Sequence, residues 1–226
     1  MTDVERRVGL NSHCVIAIDG PAASGKSTVA RQLAQRVGFV YVNSGAMYRA
    51  LTWFALEHNL DGTAADQIAD LLGQTKIRCR VCGLASRILI NDLDPAEHLR
   101  DARVNNRVSR ISAIPQVRKI VDDLMRQLAC DYNVVVEGRD IGSIVFPETP
   151  YKFYVDASPE VRQRRRAAEG QQDEIAARDR ADSSRVAAPL VIAEDALVID
   201  SSHLTIDGVV GEIVGRLKVK GLPIAD

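Results

Sequence analysis

Residues 18–28 read IDGPAASGKST, which joins an apolar run to a cluster of small residues that includes one lysine. Four of them fit the pattern G-x-x-x-x-G-K-[ST]: Gly20, Gly25, Lys26 and Ser27. In this pattern, backbone N–H groups and a helix N-terminus surround phosphate groups, the lysine reaches the β- and γ-phosphates, and the hydroxyl helps to hold Mg²⁺. A plain turn between a strand and a helix is the alternative. We predict a nucleotide-binding P-loop made of Gly20, Pro21, Ala22, Ala23, Ser24, Gly25, Lys26, Ser27 and Thr28.

Arginines that fall at strand and helix ends are candidates for binding a second substrate with a phosphate group. Arg49 lies one turn into a predicted helix, and Arg139 follows an apolar strand candidate. Three further residues, spaced i, i+4 and i+7, would share one helix face: Arg178, Asp182 and Arg185. The run RQRRR at residues 162–166 adds more positive charge, although such a run is usually a solvated helix face. For any single arginine, a surface salt bridge is the alternative.

Short apolar segments alternate with amphipathic helical patterns over most of the chain, and this order would place the candidate residues. The predicted strands are residues 14–19, 39–42, 134–136, 151–156 and 196–200. Strands that alternate with helices favour a parallel sheet, here five-stranded, with helices on both faces. Ligands of such sheets bind beyond the carboxyl ends of the strands, which is where the P-loop and Arg139 fall.

Helical patterns follow the P-loop and recur at residues 44–58, 117–128 and 206–217. Gly38 is a predicted stop for the first helix, and Ser158 with Pro159 is a predicted start for another. Residues 60–92 break the alternation. They predict a short helix capped by Thr63 and then a β-hairpin, KIRCRVCG and RILIND, which together indicate an inserted subdomain.

The composition limits the function classes. The chain has 226 residues, is 46% hydrophobic and carries a net charge of −1, which argues against general nucleic-acid binding. The start of the chain is polar, and no apolar run approaches the roughly 18 residues of a membrane span. We therefore expect a cytoplasmic protein without a membrane partner. Cys79 and Cys82 form a lone C-x-x-C without the second pair of a zinc ribbon, so they predict ordinary strand positions.

Seven segments together resemble the bacterial cytidylate kinases: IDGPAASGKST, NSGAMYRA, VSRISAIPQVR, EGRDIGSIVFPE, YVDAS, RDRADSSR and APL. The resemblance covers about residues 13–218. It implies a nucleoside monophosphate (NMP) kinase that transfers the γ-phosphate of ATP, with Mg²⁺, to CMP or dCMP. It also implies a P-loop NTPase-like core at 13–59 and 113–220, an NMP-binding insert at 60–112 and a short lid at about 162–186.

The resemblance also implies roles for single residues. Ser44 would lie at the start of the acceptor site. The phosphate of CMP would be bound by Arg49, Arg139 and Arg185, and its ribose by Arg178 and Asp182. The cytosine would be read by Ser109, Arg118 and Asp140. The catalytic cations would be Lys26, Arg139 and Arg185, and Ser27 would help to hold Mg²⁺.

Other functions are less compatible with the sequence. A kinase for UMP, AMP or shikimate would differ in the base-reading residues and in the lid motif. A GTPase switch would need an N-K-x-D segment, which the chain lacks. A nucleic-acid-binding module that uses the arginine run is disfavoured by the near-neutral charge. We expect ATP and CMP or dCMP as the only partners, no nucleic acid, and a monomer.

Overall fold

The computed structural model describes residues 13–168 and 190–224. Its strands form one sheet in the order β3-β4-β2-β5-β1-β6-β7. The strands are β1 Val15–Asp19, β2 Val40–Asn43, β3 Ile77–Cys82, β4 Ala85–Ile90, β5 Val134–Gly138, β6 Tyr151–Asp156 and β7 Leu197–Asp200. The α-helices of the described residues are α1 Lys26–Val37, α2 Ser44–Glu57, α3 Ala65–Gly73, α4 Ala102–Ile111, α5 Pro115–Asp131, α6 Pro159–Ala168 and α7 Ile206–Val219. A 3₁₀ turn spans Ala96–His98, and a π-helical turn spans Ile141–Val145.

The five predicted strands are β2, β5, β1, β6 and β7, and all their pairings are parallel. Both faces of this part of the sheet are covered, as its continuous apolar runs require. Alternate residues of one strand therefore enter different apolar clusters. In β5, Val134 and Val136 pack with residues of α2 to α5, whereas Val135 packs with residues of α1 and α7. The prediction of an α/β fold with a mostly parallel sheet is confirmed.

The predicted strand number is wrong, because the sheet has seven strands and not five. The hairpin of β3 and β4 was predicted, but it joins the edge of the main sheet. Tyr41 in β2 lies beside Ala85 in β4, and the Tyr41 N–H donates to the Leu84 carbonyl at 2.9 Å. An edge strand offers unpaired backbone groups, which the hairpin here satisfies. Periodicity in the sequence cannot show which edge a hairpin will join.

The helix boundaries confirm two of the three end signals. Gly38 ends α1 in a left-handed conformation with φ 71°, and the Ser158 hydroxyl accepts a hydrogen bond from the Val161 N–H at 3.3 Å. The Thr63 cap is wrong, since Ala64 precedes the first residue of α3 and makes no side-chain cap. The Thr63 hydroxyl donates instead to Asp61 at 2.7 Å, a local turn contact that competes with capping.

Residues from the predicted insert share an apolar cluster with the main sheet. Ile68 of α3 and Val108 of α4 pack in the same cluster as Leu51 of α2 and Val121 of α5. This packing fixes α4 beside α2 and orients its polar side. Among the α-helices of residues 13–168 and 190–224, none combines the length and apolar character needed to cross a membrane.

Candidate active site

The predicted P-loop connects β1 to α1 at the carboxyl end of the parallel sheet. Gly20 is required by a close approach, because a Cβ atom there would lie 2.1 Å from the Val155 carbonyl oxygen. Ala23 and Gly25 have left-handed φ values of 59° and 89°. Since the first turn of α1 carries no acidic side chain, the positive end of the helix faces the loop without local compensation. The arrangement is that of an anion-binding helix N-terminus.

Lys26 is the one charged side chain of residues 20–28. It is buried, and its Nζ donates to the Pro21 carbonyl at 3.0 Å. This contact folds the lysine back over its own loop and holds its charge at the wall of a cleft that Lys26 helps to line.

That cleft has a volume of about 550 Å³ and is lined by residues from both predicted halves of the site. Its donor half contains Ala22, Ala23, Gly25, Lys26, Ser27 and Thr28. Its acceptor half contains Ser44, Arg49, Ser109, Arg139 and Asp140. Gly20, Pro21 and Ser24 form the loop but do not line the cleft. The predicted residues Arg178, Asp182 and Arg185 lie outside the described residues.

Arg118 and Asp140 form a buried ion pair, although they were predicted as separate contacts to a base. The guanidinium of Arg118 donates to the Asp140 carboxylate, and each side chain is less than a tenth exposed. Asp140 lines the cleft, whereas Arg118 lies behind it and 5.5 Å from the centre of the Tyr48 ring. One nitrogen of Arg118, Nη1, is buried without a hydrogen-bond partner among the described residues. Asp140 is therefore the member of the pair that faces the cleft.

The guanidinium groups of the two arginines of the acceptor half contact backbone carbonyls. Arg49 Nη1 donates to Gly45 O at 2.9 Å, and Arg139 Nη1 lies 3.4 Å from Gly138 O. Ser44, the first residue of α2, is buried and donates to Glu137 O in β5 at 2.7 Å. This bond ties the start of α2 to the end of β5, and Arg49 and Arg139 line the same cleft.

Two buried carboxylates near strand ends were not predicted from the sequence. Asp19 ends β1 and accepts hydrogen bonds from the N–H groups of Ile141 and Gly142 at 2.9 and 2.8 Å. Burial raises the pKa of Asp19 to about 6, against the opposing effect of these two bonds. Glu137 lies in β5, lines the cleft and accepts from the Tyr41 hydroxyl at 3.2 Å. The signal in the sequence is a single acid at the end of each apolar run, VIAID and VVVEG.

A polar side of α4 was also missed apart from Ser109. Asn105 precedes Ser109 by one helical turn and Ser112 follows directly after α4, and all three side chains line the cleft at the spacing i, i+4 and i+7. They lie next to the apolar stripe of Val104, Val108 and Ile111, which is buried. The regular spacing was visible in the sequence. Arg31 and Arg100, which also line the cleft, carry no such signal.

The arginine run at 162–166 is only in part a solvated face. Arg164 is exposed, whereas Arg162 and Arg166 are buried, and Arg166 lines the cleft. This run lies in α6, which contains residues 162–168 of the predicted lid; residues 169–186 lie outside the described part. Within the described ranges, no group of three or more His, Cys, Asp or Glu side chains is placed to hold a metal ion.

The chain is similar in sequence to known proteins of one family. Residues 16–219 match the family described as cytidylate kinase. A cytidylate kinase from Carboxydothermus hydrogenoformans is 42% identical over 215 residues, 89% of this chain and 97% of that protein. One from Limosilactobacillus fermentum is 40% identical over 90% of this chain and 95% of that protein. A crystal structure from Thermus thermophilus, 20% identical over 92% of this chain and 99% of that one, has a TM-score of 0.47.

Proposed function

Since the chain belongs to the cytidylate kinase family, we propose that it transfers the γ-phosphate of ATP to CMP or dCMP, giving ADP and CDP or dCDP. The observation that supports this reaction best is that one cleft is lined by both halves of the site. Lys26 and Ser27 face it from the P-loop, and Arg49, Arg139 and Asp140 face it from the opposite elements. A donor and an acceptor with a phosphate group each could therefore meet in a single cavity at the carboxyl edge of the sheet.

Phosphoryl transfer depends on positioning and on charge neutralisation more than on covalent chemistry. In the proposal, Lys26 stabilises charge on the transferring phosphoryl group, and Arg49 and Arg139 hold the acceptor phosphate. Arg185 would complete this set of catalytic and phosphate-binding cations. The attacking oxygen of the acceptor is already ionised, so the proposal assigns no side chain as a general base.

Kinases of this kind use ATP with a divalent metal ion, and we assign this role to Mg²⁺. The hard oxygen ligands that it prefers are available, because the Ser27 hydroxyl and the Glu137 carboxylate both line the cleft. Ser27 would bind the ion directly, as in the P-loop pattern. Bound there, the ion would supply positive charge that offsets the negative charge developing on the phosphate groups.

The choice of cytosine is assigned to Asp140, Ser109 and Arg118. Cytosine carries an amino donor beside two acceptors, whereas uracil places a carbonyl where that amine is. A carboxylate that accepts from the amine would repel the carbonyl, which favours CMP over UMP. The ion pair with Arg118 supports this assignment, because it holds the Asp140 carboxylate at the wall of the cleft. Arg178 and Asp182 would bind the ribose.

We also propose four features that the sequence predicts. Residues 60–112 form the NMP-binding insert, and about 162–186 form the lid. The protein acts as a monomer. Its place is the cytoplasm.

The test is an assay that couples ADP release to a spectrophotometric signal, with ATP and Mg²⁺ and a panel of acceptors: CMP, dCMP, UMP, AMP and GMP. We expect the highest kcat/KM with CMP or dCMP. A higher kcat/KM with AMP or GMP would contradict the assignment of the base-reading residues. Absence of ADP release with every acceptor would contradict the kinase activity itself.

A further inference from the structure

The outer side of a P-loop carries backbone carbonyl groups that need hydrogen-bond donors. Its N–H groups turn toward phosphate, so carbonyl groups of the same loop must turn elsewhere, and a buried carbonyl needs a donor. In this chain, the carbonyls of Ala22 and Ser24 meet side chains from α6 and from the segment after β7. None of these side chains lines the cleft.

Arg165 and Ser201 hold the Ser24 carbonyl together. Arg165 Nη1 donates to Ser24 O and to the Ser201 hydroxyl, both at 3.0 Å, and Arg165 Nη2 donates to Ser201 O at 2.8 Å. The Ser201 hydroxyl donates in turn to Ser24 O at 2.8 Å. Ser24 and Ser201 are both buried, so these bonds are shielded from water.

Arg162 holds the neighbouring carbonyl in the same way. Its Nε donates to Ala157 O at 3.1 Å, and its Nη1 lies 3.3 Å from Ala22 O. The side chain is buried against α6 and the loop. One face of α6 therefore reaches two carbonyls of the P-loop, on either side of Ala23 with its left-handed φ of 59°.

We propose that Arg162, Arg165 and Ser201 form an arginine cradle that fixes the conformation of the P-loop through its carbonyl groups. They are positioning residues for ATP and do not touch its phosphates. This role separates them from Arg166 of the same run, which lines the cleft. It goes beyond the proposed function but rests on it, since the cradle positions the loop that is assigned to ATP.

Guanidinium chemistry accounts for the residue type. Its planar fork presents several donors at fixed angles, so a single Arg165 reaches Ser24 O, Ser201 Oγ and Ser201 O at once. A lysine has the same charge but one nitrogen, and it cannot reproduce this set of bonds. The substitution of arginine by lysine thus separates positioning from simple electrostatic attraction to phosphate.

The test uses the full chain with Arg165→Ala, Arg165→Lys, Ser201→Ala and the double variant, each measured for kcat and for KM of ATP and of CMP. We expect kcat/KM for ATP to fall about 10- to 100-fold in both Arg165 variants, because small displacements of binding groups are costly. Ser201→Ala should reduce kcat/KM for ATP less than the Arg165 variants do. The double variant should reduce it by less than the product of the two single fold-changes, as expected for residues in contact. KM for CMP should stay near the wild-type value.

Arg164→Ala is the matched control, since it removes the same charge from an exposed position of the same helix. It should stay within about twofold of wild type, as surface substitutions usually do. Recovery of activity in Arg165→Lys relative to Arg165→Ala would overturn the cradle in favour of a direct charge contact. The cradle would also be wrong if the Arg165 and Ser201 variants were less stable in urea but had the same kcat and KM values as Arg164→Ala.

A second measurement keeps this test separate from the proposed kinase activity. Binding of a non-hydrolysable ATP analogue with Mg²⁺, measured by calorimetry without any acceptor, should weaken in Arg165→Ala and Arg165→Lys but not in Arg164→Ala. If wild type binds the analogue but phosphorylates no acceptor, the proposed function fails while the cradle is still tested. If wild type turns over CMP and all variants bind the analogue equally, the cradle alone is wrong.

Discussion

The donor and acceptor halves of the cleft are built in different ways. The donor half is built from one short loop within residues 20–28, where the backbone and a helix N-terminus are proposed to bind ATP. The acceptor half takes side chains from α2, α4 and the segment after β5, with Arg118 of α5 behind them. Local chain geometry therefore makes one half, and the packing of distant elements makes the other.

This difference determines what a substitution should do. In the donor half, most side chains are small, and only two of them have a proposed chemical role, the Lys26 ammonium group and the Ser27 hydroxyl. In the acceptor half, we expect several side chains to share recognition of the acceptor. A single substitution there should therefore remove only part of kcat/KM, and the part should depend on the position and on the acceptor.

Lys26→Ala should have the largest effect. It removes the one charged side chain of the donor half, and losing a group that stabilises transition-state charge costs on the order of 3 kcal/mol, or more than about 100-fold in kcat. The measurement is kcat with CMP and saturating ATP, together with urea unfolding. Lys119→Ala, at an exposed lysine paired with Asp123, is the control and should keep full activity. Turnover near wild type in a folded Lys26→Ala protein would show that the donor half works without its lysine.

Asp19 joins the two halves, because it ends β1 just before the P-loop and holds the N–H groups of Ile141 and Gly142 after Asp140. Burial raises its pKa from 3.8 to about 6 in the folded protein. Between these pH values the folded state binds more protons than the unfolded state. The contribution of Asp19 to the free energy of unfolding is therefore fully present below about pH 4 and is lost as the pH rises through about 6. A shift of this size corresponds to about 3 kcal/mol at most.

The measurement compares the unfolding free energy of wild type and Asp19→Asn in urea at pH 4, 5, 6 and 7. Wild type should lose stability relative to the variant as the pH rises from 4 to 6. The difference in unfolding free energy should level off toward pH 7. Subtracting the unfolding free energy of the variant removes the contribution of groups that titrate equally in both proteins. A difference that does not change with pH would show that Asp19 keeps an ordinary pKa, and would remove the electrostatic link between the halves.

Asp140→Ala should change which acceptor is preferred. Loss of a hydrogen bond to a charged group costs about 1.5–3 kcal/mol, so the CMP:UMP ratio of kcat/KM should narrow by about 10- to 100-fold. KM for ATP should change little, because Asp140 belongs to the acceptor half. The substitution also leaves Arg118 buried without its partner, so unfolding free energy should fall as well.

Asp140→Asn separates these two effects. Its amide keeps the shape of the carboxylate and can donate to the carbonyl of uracil, so activity with UMP should rise relative to CMP. An unchanged CMP:UMP ratio in both variants, with only lower stability, would leave Asp140 as a structural partner of Arg118. The acceptor half would then read the base through other residues.

Asn105→Ala should have the smallest effect and tests the polar side of α4. Asn105 lines the acceptor half and donates to Arg100 O at 3.1 Å. Its loss should raise KM for CMP by about threefold to fivefold, the equivalent of one ordinary hydrogen bond, without changing KM for ATP. Asn106→Ala, at the exposed next residue, is the control. Equal KM values for CMP in the two variants would exclude Asn105 from the acceptor site.

The sequence by itself predicted the glycine-rich loop between β1 and α1, the five parallel strands, the start of α6 and the end of α1. These features are local: the loop needs glycines and a lysine at fixed spacing, and a strand buried on both faces needs a short apolar run. Arg49 and Arg139 were candidates because of their places at a helix start and a strand end, and the resemblance to a family added Ser44, Ser109 and Asp140. The structure places all five side chains on the cleft.

Only the tertiary structure decided which distant groups meet. It paired Arg118 with Asp140, joined the hairpin to β2, placed Asp19 under the segment after β5 and turned two arginines of α6 onto P-loop carbonyls. A charged residue in a sequence has many possible partners, and its partner is fixed by burial, which requires each buried polar group to be satisfied by whatever the packing brings near it. That is why an arginine run with the pattern of a solvated face contains both an exposed Arg164 and a buried Arg162.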